Sequence, residues 1–526
     1  MTRRGALPPR GRPARWHRLA WPSAAILLVA LGLLAWVWAP DRAQRQEYVV
    51  GTFTVGFAAA LLLGLWGTTW LLFLSGLRWR ARLGVVGAGA ALVVLLGLSL
   101  EFRGFSGDLV PSFGWRWESV DLTAAGAGTG VSRASSPGDG SDWPQFLGPD
   151  RDGTAAGVRL ARDWSEPPRE VWRRPVGAGW SGFAVSGGHT VTQEQREDRE
   201  AVTCYDLATG RLIWSHSVEG GWDDPLGGPG PRATPAIRNG TVYALGATGR
   251  LVALDLATGA PRWSRDILAD HGAPAPAYGV AASPLVLGDV VVVAAGGPDG
   301  HALVGYDAAT GRPLWSGGDG PPAFGSPRHA VLAGVPQILV MNGRGVAAHD
   351  PANGRVLWEL DWPPGENTAQ PVVLPPDRVF FSTGYGVGGT MLRVSATRDG
   401  GVGVERLWQS RGLKSKFANV VHRDGFLYGL DDGILVCLDA RTGERRWKRG
   451  RYGHGQLLLV RDLLLVTCED GTVALVEAEP DTWRELGRFQ AIEGKTWNHP
   501  ALVGAYLLVR NAREAACYEL PLAAGS

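Results

Sequence analysis

The hydrophobic pattern of this chain changes character once along its length. Residues 21–38, 49–74 and 83–100 are apolar stretches free of Asp, Glu, Lys and Arg, each near the ~20 residues that carry a helix across a bilayer. From about residue 143 the apolar runs become short and alternate with polar positions. Gly and Pro interrupt them too often for long helices, so this part reads as strands joined by turns.

The strand-rich part repeats itself. A β-type run, then Asp-x-x-Thr-Gly, then a short strand carrying tryptophan recurs, as in Cys204-Tyr-Asp-Leu-Ala-Thr-Gly-Arg-Leu-Ile-Trp214 and Leu438-Asp-Ala-Arg-Thr-Gly-Glu-Arg-Arg-Trp447. Asp can accept bonds from amides of its own turn while Gly supplies the positive φ that closes it, which makes each copy a hairpin. Trp172, Trp214, Trp263, Trp315, Trp358, Trp408, Trp447 and Trp483 form one register spaced 36 to 52 residues apart. Periods of that size in Val, Leu, Tyr and Trp-rich sequence predict four-stranded propeller blades.

A second ladder predicts the first strand of each unit: a small or polar residue, then an apolar run. It begins at Ser181, Ala233, Ala282, Gly325, Ala369, Ala418, Gly455 and Asn498. Two ladders of eight predict an all-β, eight-bladed propeller, with seven blades as the fallback count. The strand around Trp172 is expected to complete the last blade and close the ring.

The predicted organisation is a basic cytoplasmic segment at 1–20, a three-helix membrane anchor at 21–100, an extracytoplasmic linker at 101–141 and the propeller at 142–526. Arg3, Arg4, Arg10, Arg12, Arg15 and Arg18 precede the first apolar stretch, and Arg78, Arg80 and Arg82 separate the second from the third. By the positive-inside rule these arginines face the cytoplasm, so three crossings place the propeller outside the inner membrane, in the periplasm. The Gly, Ala, Ser and Thr-rich stretch 123–141 reads as a flexible tether.

The Asp-x-x-Thr-Gly-x-x-x-Trp repeat resembles the pyrroloquinoline-quinone (PQQ) type propeller repeat. That repeat occurs in quinoprotein alcohol and glucose dehydrogenases and in the BamB-like propeller lipoprotein of the outer-membrane assembly machine. Trp143-Pro-Gln-Phe-Leu-Gly-Pro-Asp-Arg-Asp-Gly153 also resembles the start of bacterial members, and the resemblance runs over about 143–521. It implies the fold, and either docking of a protein or peptide partner or oxidation of alcohols or sugars with PQQ and calcium. The assembly lipoprotein has a lipobox cysteine, which this chain lacks. The quinoprotein alcohol dehydrogenases have a vicinal disulfide, and no Cys-Cys pair occurs here.

Charge and cysteine content narrow the remaining chemistry. A net charge of +2 gives no basic field for nucleic acid. Cys204, Cys437 and Cys517 occupy equivalent places in three units, with Cys468 in a fourth. Equivalent strands of packed sheets stand on the order of 10 Å apart, beyond the ~7 Å a disulfide spans, so free buried thiols are expected. No nucleophile elbow, P-loop, His-Glu-x-x-His or haem motif is present, and no catalytic or metal-ligating residue is assigned. Asp150 to Gly153 lacks the downstream Glu of a calcium loop and reads as a turn.

If the first strands line the channel, the residues just before them crowd one opening. They are Trp180, Arg232, Tyr278, Phe324, Asn367, Lys416, His454 and Trp497, an aromatic and cationic rim suited to a peptide, sugar or anion, or alternatively a plug that stiffens the loops. His422, His454 and His499 fall near successive strand starts and read as separate rim residues. For the quinone alternative the candidates are Trp222, Asp223, Asp224 and Glu366, beside Asn367, with an ordinary solvated loop as the competing reading. The first function reading is a membrane-tethered periplasmic binding or scaffold module without enzymatic activity or cofactor. The alternative is a membrane-anchored PQQ-dependent dehydrogenase, and a membrane sensor comes third because the short cytoplasmic segments leave little room for an output domain.

Overall fold

The computed structural model describes residues 26–30, 49–118 and 142–523, less 298–299, 322–323, 364–365 and 399. The chain divides into two units, Met1–Arg103 with Pro111–Glu118, and Gly104–Val110 with Ser119–Ser526. In the first unit, helix α1 (Val49–Thr69) continues through a π-helical turn, Trp70–Leu74, and α2 spans Trp79–Ser99. Arg82 holds the connection between them by donating Nε to Leu77 O at 2.8 Å and Nη1 to Leu72 O at 2.5 Å.

Both helices are long and apolar enough to cross a membrane, with mean hydropathy of 1.6 over Gly56–Phe73 and 2.0 over Trp79–Ser99. Apolar side chains of α2 stay uncovered, with no buried residue along it. These are the second and third predicted spans. The first lies outside the described residues except for the helical stretch 26–30, and so does the predicted tether. The start of the predicted linker is ordered as a hairpin of strands Leu100–Phe105 and Pro111–Trp115.

The second unit is an eight-bladed propeller of four-stranded antiparallel blades. The inner strands are Ala184–Ser186, Ala236–Arg238, Leu285–Leu287, Arg328–Leu332, Val372–Leu374, Val421–Arg423, Gln456–Val460 and Ala501–Val503, in blades one to eight. Each follows its predicted ladder residue. Blade eight takes its outer strand, Arg169–Pro175, from the beginning of the propeller, and Trp172 faces Cys517 across that pairing. The four cysteines are free and buried.

The repeat motif proves to be one device spread over two blades. Asp206 Oδ1 accepts from Thr209 N at 2.9 Å and Thr209 Oγ1 at 2.7 Å, and Gly210 N bonds back to Asp206 O at 2.8 Å. Asp255 and Asp307 build the same turn with Thr258 and Thr310. The indole of the preceding blade lies on the turn glycine. A Cβ at Gly210 would stand 2.6 Å from the Trp172 ring, and Gly259, Gly311, Gly354 and Gly443 meet Trp214, Trp263, Trp315 and Trp408 in the same way. The indole N–H then reaches the turn itself, Trp172 to Leu207 O at 2.8 Å, Trp214 to Leu256 O at 2.8 Å and Trp263 to Ala308 O at 2.9 Å.

Trp483 departs from the predicted register. It precedes the outer strand of blade seven, Glu485–Gln490, and the position that carries Trp elsewhere is Gly487, paired with Leu475. Trp164 covers that gap from outside the repeat. A Cβ at Gly487 would lie 2.7 Å from Trp164 Cβ, and the Trp164 ring meets Phe489 edge-on with 5.8 Å between centroids.

Small polar residues of the second ladder stitch neighbouring inner strands together. Gly182 N donates to Thr234 Oγ1 at 3.0 Å, Thr234 N to Ser283 Oγ at 2.9 Å and Ser283 N to Ser326 Oγ at 2.9 Å. The relay explains why a hydroxyl recurs where a packed core would favour an aliphatic residue.

The lead-in segment 143–155, read from sequence as containing a plain turn, runs across the channel and touches every blade. Trp143 pairs with Val185, Pro144 O accepts from Ile237 N, and Arg151 donates to Pro284 O at 2.9 Å and Ser283 O at 3.2 Å. Asp152 faces Arg328 at 4.0 Å, Gln370 donates to Arg151 O, and a Cβ at Gly153 would lie 3.3 Å from Val421. Leu459 bonds Gly153 and Ala155, and the Phe146 ring meets His499 at 4.7 Å. The segment is a floor.

Two glycines of blade two separate ring contact from backbone strain. Gly240 and Gly259 have φ of 70° and 72°, but only Gly259 carries an indole. Gly240→Ala is expected to cost about 1–2 kcal/mol for its left-handed backbone, and Gly259→Ala a further 1–3 kcal/mol or so for overpacking against Trp214. Equal shifts in denaturant midpoint for the two variants would show that the indole contact contributes nothing.

Candidate functional site

Residues that precede the inner strands ring one end of the channel, and the lead-in segment closes it further down. The result is a cup of about 400 Å³. Six of the eight predicted rim residues line it: Trp180, Arg232, Tyr278, Phe324, Lys416 and Trp497. Asn367 does not. Its amide turns inward, donating to Asn342 O at 2.9 Å and accepting from Thr383 Oγ1 at 2.7 Å, while its neighbours Glu366 and Thr368 face the cavity. His454 is buried just behind the wall, with 3% of its surface exposed.

The wall is aromatic. Trp180 and Trp497 approach at 4.9 Å between centroids, and Phe417 extends the cluster at 4.8 Å from Trp497. Lys495 Nζ sits over both indoles, 4.8 Å from Trp180 and 4.3 Å from Trp497, close enough for cation–π attraction. Further round the wall Tyr278 meets Phe324 edge-on at 5.4 Å, and Lys416 Nζ lies 5.0 Å from the Tyr385 ring centre and 5.5 Å from that of Phe417.

Most charges at the mouth are committed. Arg232 donates to Asp224 at 2.5 Å and to Gly228 O at 2.7 Å, and Asp224 also accepts from Leu226 N and Gly227 N. Trp222 donates its indole N–H to the same Asp224, and Asp223 is exposed, so the predicted Trp222, Asp223 and Asp224 stay out of the cavity lining while Asp224 holds Leu226, Gly227 and Arg232, which line it. Glu469 accepts from Trp497 Nε1 at 2.9 Å and from His454 N at 3.0 Å. Glu366 makes no hydrogen bond or ion pair with another described residue, and burial pushes its carboxyl up from the usual range. His499 holds Asn419 at 2.8 Å, and burial drives its imidazole down to about 3, so it is neutral. His422 accepts from Gly425 N in its own hairpin.

A short loop from before the propeller completes the wall. Gly104–Val110 belongs to the propeller unit, and Ser106, Gly107 and Leu109 line the cup. The sequence reading missed this loop, together with Glu469, Lys495, Phe417, Tyr385 and Phe146. Alternating apolar residues on either side of Ser106-Gly-Asp-Leu109 are a hairpin signal, though nothing local says where the tip docks.

A calcium-bound quinone requires several converging oxygen donors. Among the described residues no group of three or more His, Cys, Asp or Glu side chains is placed to hold a metal ion. Glu366 is available, but Asn367 points away and Asp224 is tied to Arg232. These residues do not fit that group.

Fold and site together define an eight-bladed propeller with an aromatic cup at one end of its channel. Residues 198–449 match the family model described as outer membrane protein assembly factor BamB. Within the curated relatives the chain is 33% identical over 122 residues to quinohemoprotein alcohol dehydrogenase ADH-IIG of Pseudomonas putida, covering 22% of this chain and 16% of that protein. It is 39% identical over 72 residues to outer membrane protein assembly factor BamB of Moranella endobia, covering 13% and 19%. The matched stretches thus span less than a fifth of either relative. The solved quinohemoprotein alcohol dehydrogenase from Comamonas testosteroni shares the fold, with a TM-score of 0.52, 14% identity, and coverage of 72% of this chain and 80% of that one.

Lys495 gives the mouth a testable pH response. Burial lowers its ammonium from 10.5 to about 8, partly offset by Glu469 and Asp224. Between those values the folded chain has released a proton that the unfolded chain keeps, so this group's contribution to stability rises with pH across the window. The positive charge of Lys495 at the mouth is lost near pH 8, at the lower edge of that window. NMR of ¹³C-dimethylated lysines is expected to show Lys495 titrating near 8, and a midpoint near 10.5 would place it in open water.

Proposed function

We propose that this protein is a membrane-tethered, extracytoplasmic binding module whose cup holds a protein or peptide partner without chemical turnover. One observation carries the reading: an open-mouthed cup walled by seven aromatic rings, with cations at its rim and all but one of its nearby carboxylates engaged. Such a site offers contact area and orientation, and among the described residues no group of three or more His, Cys, Asp or Glu side chains is placed to hold the calcium that a quinone requires. The likeness to an assembly factor supports it. The two apolar helices support tethering, and the arginine distribution supports an inner-membrane location with the propeller outside.

The full chain in envelope vesicles, with a photo-crosslinking residue at Tyr278 or Phe324, is expected to yield discrete protein adducts. Trp497→Ala should weaken them by roughly 30-fold, corresponding to ~2 kcal/mol for an aromatic anchor. Folded protein without mouth adducts would count against the reading.

The dehydrogenase alternative is favoured by the identity to ADH-IIG and is separated by titration. The full chain in nanodiscs, mixed with PQQ and calcium, is expected to bind neither stoichiometrically nor with dye reduction by alcohols or glucose. Stoichiometric uptake with substrate-dependent reduction would replace the docking reading by an enzymatic one.

A further inference from the structure

Resting on the docking reading, the identity of the ligand is suggested by what already sits in the cup. Gly104–Val110 contributes no strand to any blade, and all eight four-stranded sheets are complete without it. Even so, the mouth meets it with a matched set of groups. Its tip is a tight turn, with Leu109 N bonded to Ser106 O at 2.8 Å, Val110 N to Ser106 Oγ at 3.1 Å, and Leu109 at a φ of 59°.

Gly107 N donates to Glu469 Oε1 at 2.5 Å, and Gly107 O accepts from Lys416. Lys495 donates to Phe105 O at 3.0 Å. Asp108 reaches His454 Nε2 at 3.0 Å and Arg451 at 3.9 Å. Only glycine fits at 107, because a Cβ there would stand 2.2 Å from the His454 ring. Leu109 lines the cup beside it.

Each of these contacts reads a backbone amide, a backbone carbonyl, a missing side chain or a carboxylate. None depends on the turn being covalently attached to this chain, and recognition through main-chain bonds plus one side-chain pocket is how peptides are held elsewhere. Buried Lys416 and half-buried Lys495 and Glu469 are costly to leave without partners, and the loop supplies partners to all three.

We infer that the cup binds an acidic turn of a partner protein with the pattern glycine, aspartate, aliphatic, and that Gly104–Val110 is its intramolecular surrogate, displaced when the partner arrives. The partner's aspartate takes the His454 and Arg451 position. Its glycine takes the Glu469 and Lys416 position. Flanking apolar residues extend toward Tyr278, Phe324 and Tyr385, where the resident loop does not reach.

The test uses the full chain in nanodiscs and a fluorescent, cyclised peptide of sequence Phe-Ser-Gly-Asp-Leu-Val. Wild type is expected to bind it weakly, since a tethered competitor acts at an effective concentration around millimolar. Gly107→Ala expels the loop and should raise affinity at least tenfold. Adding Glu469→Gln should abolish that gain, and a peptide with Asn for Asp should fail on every variant. Asp108→Asn, which leaves the glycine in place, should give an intermediate gain. Folded Gly107→Ala and Asp108→Asn proteins that bind no better than wild type overturn the inference, as does a collapse of the propeller's melting transition in both. Mouth crosslinks at Tyr278 or Phe324 persisting beside that failure would leave the docking reading intact and reject only this ligand.

Discussion

The propeller depends on one recurring contact, an indole laid flat on a glycine that belongs to the next blade. The glycine must lack a Cβ because the ring occupies that space, and it must hold a positive φ because the Asp-x-x-Thr turn requires it. The same residue therefore satisfies a local and a non-local demand. The indole N–H closes the arrangement by bonding to a carbonyl of the turn it covers. This wedge joins five pairs of blades at the outer edge and the hydroxyl relay joins blades one to four near the axis, with hydrophobic packing filling the space between.

This double demand is why so much of the fold was legible. Asp, Thr, Gly and Trp at fixed offsets report a blade boundary wherever they occur, and Thr234, Ser283 and Ser326 mark the inner strands of blades two to four. The departures have a common physical origin. Trp164 replaces the missing blade-seven indole from outside the repeat, Arg151 and its neighbours form the floor, and Gly107 enters the mouth from ahead of the propeller. All three are non-local partners of the repeat, and a periodic signal carries no information about what inserts into it. Asn367 stood in the right place in sequence, but its buried amide found Asn342 and Thr383 and turned away from the cavity.

Polarity is arranged differently at the mouth and on the floor. On the floor Arg151 is fully buried, bonded to carbonyls with no acid against it, and burial lowers its guanidinium to about 9. At the mouth, ammonium and carboxylate groups face one another across a backbone segment. The first arrangement is static, because nothing can replace those carbonyls without opening the ring. The second consists of groups that any chain of the right polarity could satisfy.

Closure of blade eight also has a consequence for the order in which the molecule is made. Arg173 on the first propeller strand pairs with Glu514, separated from it by 341 positions. At ribosomal rates of ~5–20 residues per second, that early strand waits on the order of tens of seconds for its partner. During that interval it presents an unpaired edge, open to wrong pairing with any passing strand. Its own sequence, Arg169-Glu-Val-Trp-Arg-Arg-Pro175, puts charges at four of its seven positions and ends in proline, so the strand that waits longest carries its own protection against aggregation.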